Sequence, residues 1–262
     1  MRAVLALLLL LATTLPAAAV DAPRIEILLN QTLATRAGMG TLGNGLALTP
    51  GRLVLLADAA RAYAVGWGGV QGVNTGRLEG YAYTADGLLL GIRGRQLMYL
   101  AADGVLKTLC GLPADGMGIS AGEGRRMFLY ERNPTGNSAL YELLPQRRFR
   151  KLLESPRPIA AVIEAQGRVL FAAGNAVFEV APDKSLRIIA ALPGTTPIRA
   201  LASDSAGKTF YLSDGESVFK LRGGAASVLL KDAGGSLLRD GDALLVLDPR
   251  QSLLLRIVNA SP

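Results

Sequence analysis

The chain has 262 residues, half of them hydrophobic, and 28 Lys and Arg against 21 Asp and Glu. It has no histidine and one cysteine, Cys110. Those counts exclude His-based triads, histidine general bases, His-ligated haem, the usual zinc sites and any internal disulfide.

The first nineteen residues read as a secretory signal peptide. Arg2 is the positive start, Ala3 to Ala12 is an apolar stretch, and Ala17-Ala18-Ala19 offers a cleavage site. Thr13, Thr14 and Pro16 interrupt that stretch short of the roughly 20 apolar residues that a spanning helix needs. The mature part, residues 20–262, is expected as one domain working outside the cytoplasm, in the periplasm or secreted. Losing the leader removes only Arg2, so the positive excess remains. Outside the cytoplasm such an excess suits an envelope protein, a small anionic ligand or anionic lipid headgroups, and no nucleic acid partner is expected.

"RIEILLN", Arg24 to Asn30, reads as a strand, and six related phrases follow it: "TPGRLVLLAD", "ADGLLLGIRG", "GEGRRMFLYE", "AQGRVLFAAG", "SAGKTFYLSD" and "RDGDALLVLD". Their glycines are Gly51, Gly87, Gly124, Gly167, Gly207 and Gly241, at gaps of 36, 37, 43, 40 and 34 residues. Each is expected in a tight turn with φ > 0. A strand of small residues precedes the glycine and an apolar strand follows it, buried on both faces where it lacks alternation. A hairpin and a third strand come next ("QLMYL", "ALYELL", "AVFEV", "SVFKL", "LLLRIV"), then a turn and a fourth ("VLKTL", "FRKLL", "LRIIAAL", "SVLL"). No long capped helix is evident.

Four strands in roughly 40 residues is the size of one propeller blade, so an all-β, six-bladed propeller is expected. Small residues before each glycine suit inner strands that converge on an axis. The sixth unit stops without a fourth strand. Ile25 to Leu29 is therefore expected to complete it beside Leu253 to Val258, which also removes an exposed edge.

Linkers into successive inner strands should gather at one channel mouth. There blades 1, 2 and 3 offer Asn44-Gly45, Glu79-Gly80 and Asp115-Gly116, while blades 4 and 5 offer Arg157 and Arg199. Oxygen donors beside arginines suit a divalent cation and an anionic group. The competing explanation is that NG, EG and DG are turn dipeptides chosen for φ > 0. "PQRRFRKLLESPRP" concentrates Arg147, Arg148, Arg150 and Lys151 on the outer hairpin of blade 3. It is either a peripheral contact for anionic lipid or an acidic partner, with Phe149 as anchor, or a charged edge that discourages aggregation. Trp67, the one tryptophan, lies in "AVGWGGVQGVNTG" and is expected either as an aromatic ligand contact at the channel mouth, with Arg157 and Arg199, or as part of a degenerate outer strand. "ERNPTGNS", Glu131 to Ser138, is a long turn with room to be a contact loop. Cys110 reads as a small core residue.

The repeated phrase resembles that of the NHL-type and gluconolactonase-like six-bladed propellers, over about residues 24–259. That resemblance implies a divalent metal held at the mouth by Glu, Asn and Asp. "NGLALTPGRLVLLAD" looks like the family's asparagine segment, carrying Asn44, and "PADGMGIS" like its aspartate segment, carrying Asp115. In the family those segments occupy neighbouring blades late in the chain; here a blade intervenes and both come early. The family's N-terminal glutamate segment has no counterpart, since Glu26 falls in the closing strand. Two functions remain open. One is a ligand- or protein-binding module without catalysis, needing no cofactor. The other is a lactonase-type hydrolase with a divalent cation such as calcium on Asn44, Glu79 and Asp115, which polarises a carbonyl and activates water.

Overall fold

The repeated phrases fold into six four-stranded antiparallel sheets. The structure, a computed structural model, describes residues 23–260 apart from 74 and 134. The expected leader lies outside the described residues.

Blade 1 is β2 (Ala47–Leu48), β3 (Val54–Ala57), β4 (Ala62–Gly66) and β5 (Gly69–Val73), from the axis outward. Blade 2 is β6 (Gly80–Tyr83), β7 (Leu89–Arg93), β8 (Gln96–Leu100) and β9 (Leu106–Gly111). Blade 3 follows with β10 (Met117–Ala121), β11 (Met127–Glu131), β12 (Ser138–Leu144) and β13 (Arg148–Ser155). Blade 4 comprises β14 (Ile159–Ala165), β15 (Arg168–Ala173), β16 (Ala176–Val180) and β17 (Leu186–Ala191). Blade 5 comprises β18 (Ala200–Ser203), β19 (Thr209–Ser213), β20 (Val218–Arg222) and β21 (Ala225–Leu230). In blade 6 the order is β22 (Ser236–Asp240), β23 (Ala243–Asp248), β24 (Leu253–Val258) and then β1 (Arg24–Leu29) from the other end of the chain.

The expected closure is present: Ile25 pairs with Ile257 and Ile27 with Leu255. A bulge after Ile27 shifts the register. It turns both Leu28 and Leu29 into the apolar layer between blades 6 and 1. A bulge does this by giving one strand an extra residue and bending it.

The second strands are buried on both faces, as their unbroken apolar runs require. β3 and β23 have no exposed residue at all. The core is accordingly six apolar layers, one in each gap between neighbouring blades. Cys110 packs half-buried in the layer between blades 2 and 3, and burial pushes its thiol up, away from the reactive thiolate.

Two details differ from expectation. Five of the six repeat glycines have φ of 61–85°, but in blade 1 the left-handed residue is Arg52 (φ 61°) rather than Gly51. There Arg52 N–H donates to the Thr49 carbonyl at 2.9 Å, as Gly87 does to Thr84 in blade 2, so the Pro50-Gly51 pair occupies the turn one residue early. The second difference is a helix, α1 (Gln31–Arg36). The Asn30 side chain caps it by accepting the Leu33 N–H at 2.9 Å. Six residues with only Ala34 buried leave no periodic stripe in the sequence to announce it.

Neighbouring strands run antiparallel, so the inter-blade linkers and each blade's second hairpin share one face of the ring, the mouth face. First turns and third hairpins share the other, the turn face. On the turn face, charge spans the closure. Asp240 accepts from Arg52 of blade 1 and, at 3.2 Å, from Arg256, which in turn reaches Glu26 of β1 at 2.9 Å. The Asp240 side chain is only 10% exposed. Asp240→Ala would leave two guanidinium groups facing each other without their shared acceptor. It is expected to cost about 2 kcal/mol and to lower Tm by about 4–8 °C in a chain of this size, read by thermal unfolding at neutral pH.

Candidate functional site

The mouth is built from the residues that lead into the inner strands. Blade 1 contributes Asn44, exposed, whose carbonyl accepts the Ser236 hydroxyl at the start of blade 6. In blade 2, Glu79 is exposed and its N–H donates to the Ile92 carbonyl at 2.8 Å. In blade 3, the Asp115 side chain is 77% exposed, with Arg95 Nε 3.7 Å from its Oδ1. These three stand at successive blade starts on one face.

The turn explanation for their glycines holds only at Gly116, which has φ 63°. At Gly45 the reason is close approach: a Cβ there would lie 2.5 Å from Cε1 of Tyr81. The Tyr81 ring is buried beneath the blade 1 linker, and its hydroxyl has no hydrogen-bond partner among the described residues.

Among the described residues, no three of His, Cys, Asp and Glu gather as a metal-holding group. The set Asn44, Glu79 and Asp115 offers two carboxylates and one amide, and the Asp115 carboxylate already faces the Arg95 guanidinium. A Ca²⁺ ion takes about 6–8 oxygens, so these donors fit a resident cation poorly. Glu26 sits in β1, bound to Arg24 and Arg256 on the turn face.

The other half of the rim is basic. Arg157 precedes β14 and Arg199 precedes β18, both exposed. A third arginine joins them that the sequence alone did not single out. Arg132 directly follows β11, whose end pairs with the start of β10 (Glu131 opposite Met117), and its N–H reaches the Gly116 carbonyl at 3.3 Å. Antiparallel pairing thus returns the end of a second strand to the rim. The signal was the long turn beginning at Glu131, but nothing within it marked Arg132.

Each of these arginines lies over a glycine of its own blade. Arg132 stacks on the Tyr130 ring at 5.3 Å, and both occupy the space that a Gly118 side chain would fill. Arg157 Nη1 lies 2.7 Å from where a Gly174 Cβ would stand, and Arg199 Cγ 3.5 Å from that of Gly215. None of the three has a carboxylate within 4.0 Å among the described residues. Blades 3, 4 and 5 therefore present three guanidinium groups without a carboxylate; Arg132 Nη2 donates to the Tyr130 hydroxyl at 3.3 Å, and its other donors, like those of Arg157 and Arg199, suit a carboxylate or phosphate.

Trp67 does not join them. It forms the tip of the β4–β5 hairpin, 72% exposed, on the turn face. The glycine-rich segment around it is the third and fourth strands of blade 1. The basic run of blade 3 also reaches the turn face, but only in part as a free patch. Arg150 is bound to Glu142 and Lys151 to Glu154, while Phe149 packs inward between blades 2 and 3. Arg147 and Arg148 remain exposed.

The fold is shared with solved six-bladed propellers. A gluconolactonase from Xanthomonas campestris matches at 15% identity over 90% of this chain and 89% of that one, with a TM-score of 0.68. Virginiamycin B lyase from Staphylococcus aureus matches at 10% identity over 90% of this chain and 99% of that one, with a TM-score of 0.62. The extracellular domain of a protein assigned to the hybrid two-component systems of B. thetaiotaomicron matches at 12% identity over 85% of this chain and 32% of that one, with a TM-score of 0.59. No protein-family model matches the chain. No curated protein matches it either.

The blade 1 side of the mouth is held by Asp58, which is 8% exposed. Burial alone would raise its carboxyl. The N–H groups of Gly40, Arg61 and Ala60 and the Tyr63 hydroxyl outweigh that and hold it at about 2. Its bond from Gly40 at 2.8 Å ties the segment before Asn44 to the second hairpin. A folded value below the unfolded one stabilises above the unfolded pKa of roughly 3.9, and the gain disappears as pH falls through the folded value. Asp58→Asn should therefore cost about 2 kcal/mol at neutral pH. In Tm measured against pH, the gap between Asp58→Asn and the parent should close between about pH 4 and pH 2.

Proposed function

We propose that the protein is an extracytoplasmic propeller that binds an anionic group at its mouth without catalysing a reaction. The ligand is a carboxylate- or phosphate-bearing small molecule, or an acidic segment of an envelope protein. The observation that carries this reading is the arc of Arg132, Arg157 and Arg199 over three consecutive blades, each propped over a glycine and none paired with a carboxylate among the described residues. Three guanidinium groups on one rim without a carboxylate leave positive charge uncompensated, and a bound anion offsets that charge while accepting their hydrogen bonds. The leader read from the sequence and the positive excess support an envelope setting.

A second reading is a lactonase-type hydrolase acting through a divalent cation at Asn44, Glu79 and Asp115. It is favoured by the gluconolactonase among the structural neighbours and by the position of those three residues on the same rim. On that reading the arginines steady an anionic substrate, and the cation polarises the lactone carbonyl and supplies an activated water.

Thermal unfolding in low-salt buffer separates the two. With citrate at about a hundred times its dissociation constant, a Tm rise of about 5–10 °C is expected. It should be lost in Arg132→Ala/Arg157→Ala/Arg199→Ala and weakened by added salt. No citrate response in the parent overturns the anion-binding mouth. A Tm rise with millimolar calcium that vanishes in Asp115→Ala, together with calcium-dependent acid release from gluconolactone, replaces it with the hydrolase.

A further inference from the structure

The turn face carries a surface that the mouth does not use. Ten large hydrophobic side chains are exposed among the described residues, and four of them sit at turn-face connections of blades 1 and 2. Leu53 (40% exposed) and Leu88 (36%) follow the first turns, while Trp67 (72%) and Val105 (54%) belong to the third hairpins. The two first turns touch: Pro50 Cγ lies 2.9 Å from where a Gly87 side chain would begin. Behind Trp67 an open cleft of about 240 Å³ runs between Leu53 and the hairpin, over Ala64, Gly66, Val70 and Gln71.

Blade 3, next round the ring, adds charge to the same face. Its third hairpin passes through a short 3-10 turn, Pro145–Arg147, in which Gln146 and Arg147 both take left-handed conformations (φ 63° and 62°). Arg147 Nη1 rests on the Leu109 carbonyl of blade 2 at 3.2 Å. Neither Arg147 nor Arg148 has a carboxylate within 4.0 Å among the described residues.

We propose that this face docks on an anionic lipid bilayer. Trp67, Leu53, Leu88 and Val105 enter the interface, and Arg147 and Arg148 lie against the headgroups. The four apolar side chains stand on four separate connections. A fluid interface takes each tip independently. Tryptophan places its ring at headgroup depth with N–H toward water. Arginines on the same face are attracted to anionic headgroups at short range. This contact leaves the mouth facing away from the membrane, and it stands whether the mouth binds an anion or hydrolyses a lactone.

Trp67 is the one tryptophan in the chain, so its fluorescence reports the contact directly. The full mature protein is mixed with phosphatidylcholine vesicles, either pure or containing a third phosphatidylglycerol. A blue shift of Trp67 emission and quenching by brominated acyl chains are expected with the anionic vesicles and not with the neutral ones. Arg147→Gln/Arg148→Gln should weaken partitioning about 30-fold, about fivefold per arginine. Trp67→Ser, followed by co-sedimentation, should weaken it about tenfold. Three results would each overturn the proposal: no shift with anionic vesicles at low salt, equal binding to neutral vesicles, or a response reproduced by soluble glycerol phosphate alone. An unshifted Arg147→Gln/Arg148→Gln titration against a folded circular dichroism spectrum would overturn it as well.

Discussion

Everything in this molecule follows from sheets that are apolar on both faces. A sheet with one oily face can stop at a partner layer. A sheet such as blade 1 or blade 6, whose second strand has no exposed residue, needs a neighbour on each side. Adding neighbours ends only when the row closes on itself. The six apolar layers are the result, and the one between blades 6 and 1 is the layer that only the two ends of the chain can complete. Leu28 and Leu29 reach it through the bulge in β1, and Leu245, Leu247 and Leu254 meet them from the last blade. The polar closure through Arg52, Asp240, Arg256 and Glu26 lies beside that layer. It is of the kind that contributes register more than net energy, because desolvating the charges offsets much of their attraction.

Ring closure also explains why the sequence disclosed the fold more readily than the site. Burial on both faces leaves long apolar runs, and convergence on an axis leaves small residues. Both are visible one residue at a time, as in "RALAS" before Gly207 and "TFYLS" after it. The rim is under no such packing demand. Its residues are solvated linkers, so their types carry no period. Asn44, Glu79, Asp115, Arg157 and Arg199 could be placed on the rim because each precedes an inner strand. Arg132 could not, because its place depends on strand pairing that brings the end of β11 back to the start of β10. Trp67 was assigned to the wrong face for a related reason. The glycines around it hid a β4–β5 hairpin, and without that strand the direction of the chain through blade 1 cannot be counted. The Gly51 expectation failed by one residue because Pro50-Gly51 has turn chemistry of its own, which moves the left-handed position to Arg52.

The ring then gives its two faces different characters. Linkers and second hairpins set side chains over glycines at the mouth, where Gly118, Gly174 and Gly215 make room for guanidinium groups. First turns and third hairpins instead carry the exposed apolar side chains Leu53, Leu88, Trp67 and Val105. A rim residue and a turn residue of the same blade are separated by the full length of the strands, so one face can change composition without disturbing the other or the layers between them. Propellers with this fold and unrelated sequences differ in what they do for that reason: the scaffold constrains where side chains stand, and the chemistry is left to which ones stand there.

Left-handed residues other than glycine occur on both faces, with Asp232 and Ser252 at mouth-face connections. Arg52, Gln146, Arg147, Gln166 and Lys184 all have φ between 53° and 66° at turn-face connections. A residue with a side chain costs about 1 kcal/mol more than glycine in that conformation. At Arg52 the compensation is plain, since its guanidinium binds Asp240 across the closure. At Gln166 the backbone N–H donates to Glu123 of the neighbouring blade at 2.7 Å, which holds the turn in place. At Arg147 the internal return is one bond to a carbonyl of blade 2, and the rest of an exposed guanidinium is left to whatever lies outside. Two consecutive left-handed residues, held without glycine and delivering a charge with no carboxylate partner to the same face as exposed Trp67 and Val105, make sense when the missing partner is external. A negative and extended partner such as the headgroup layer of a bilayer meets turns of several blades at once.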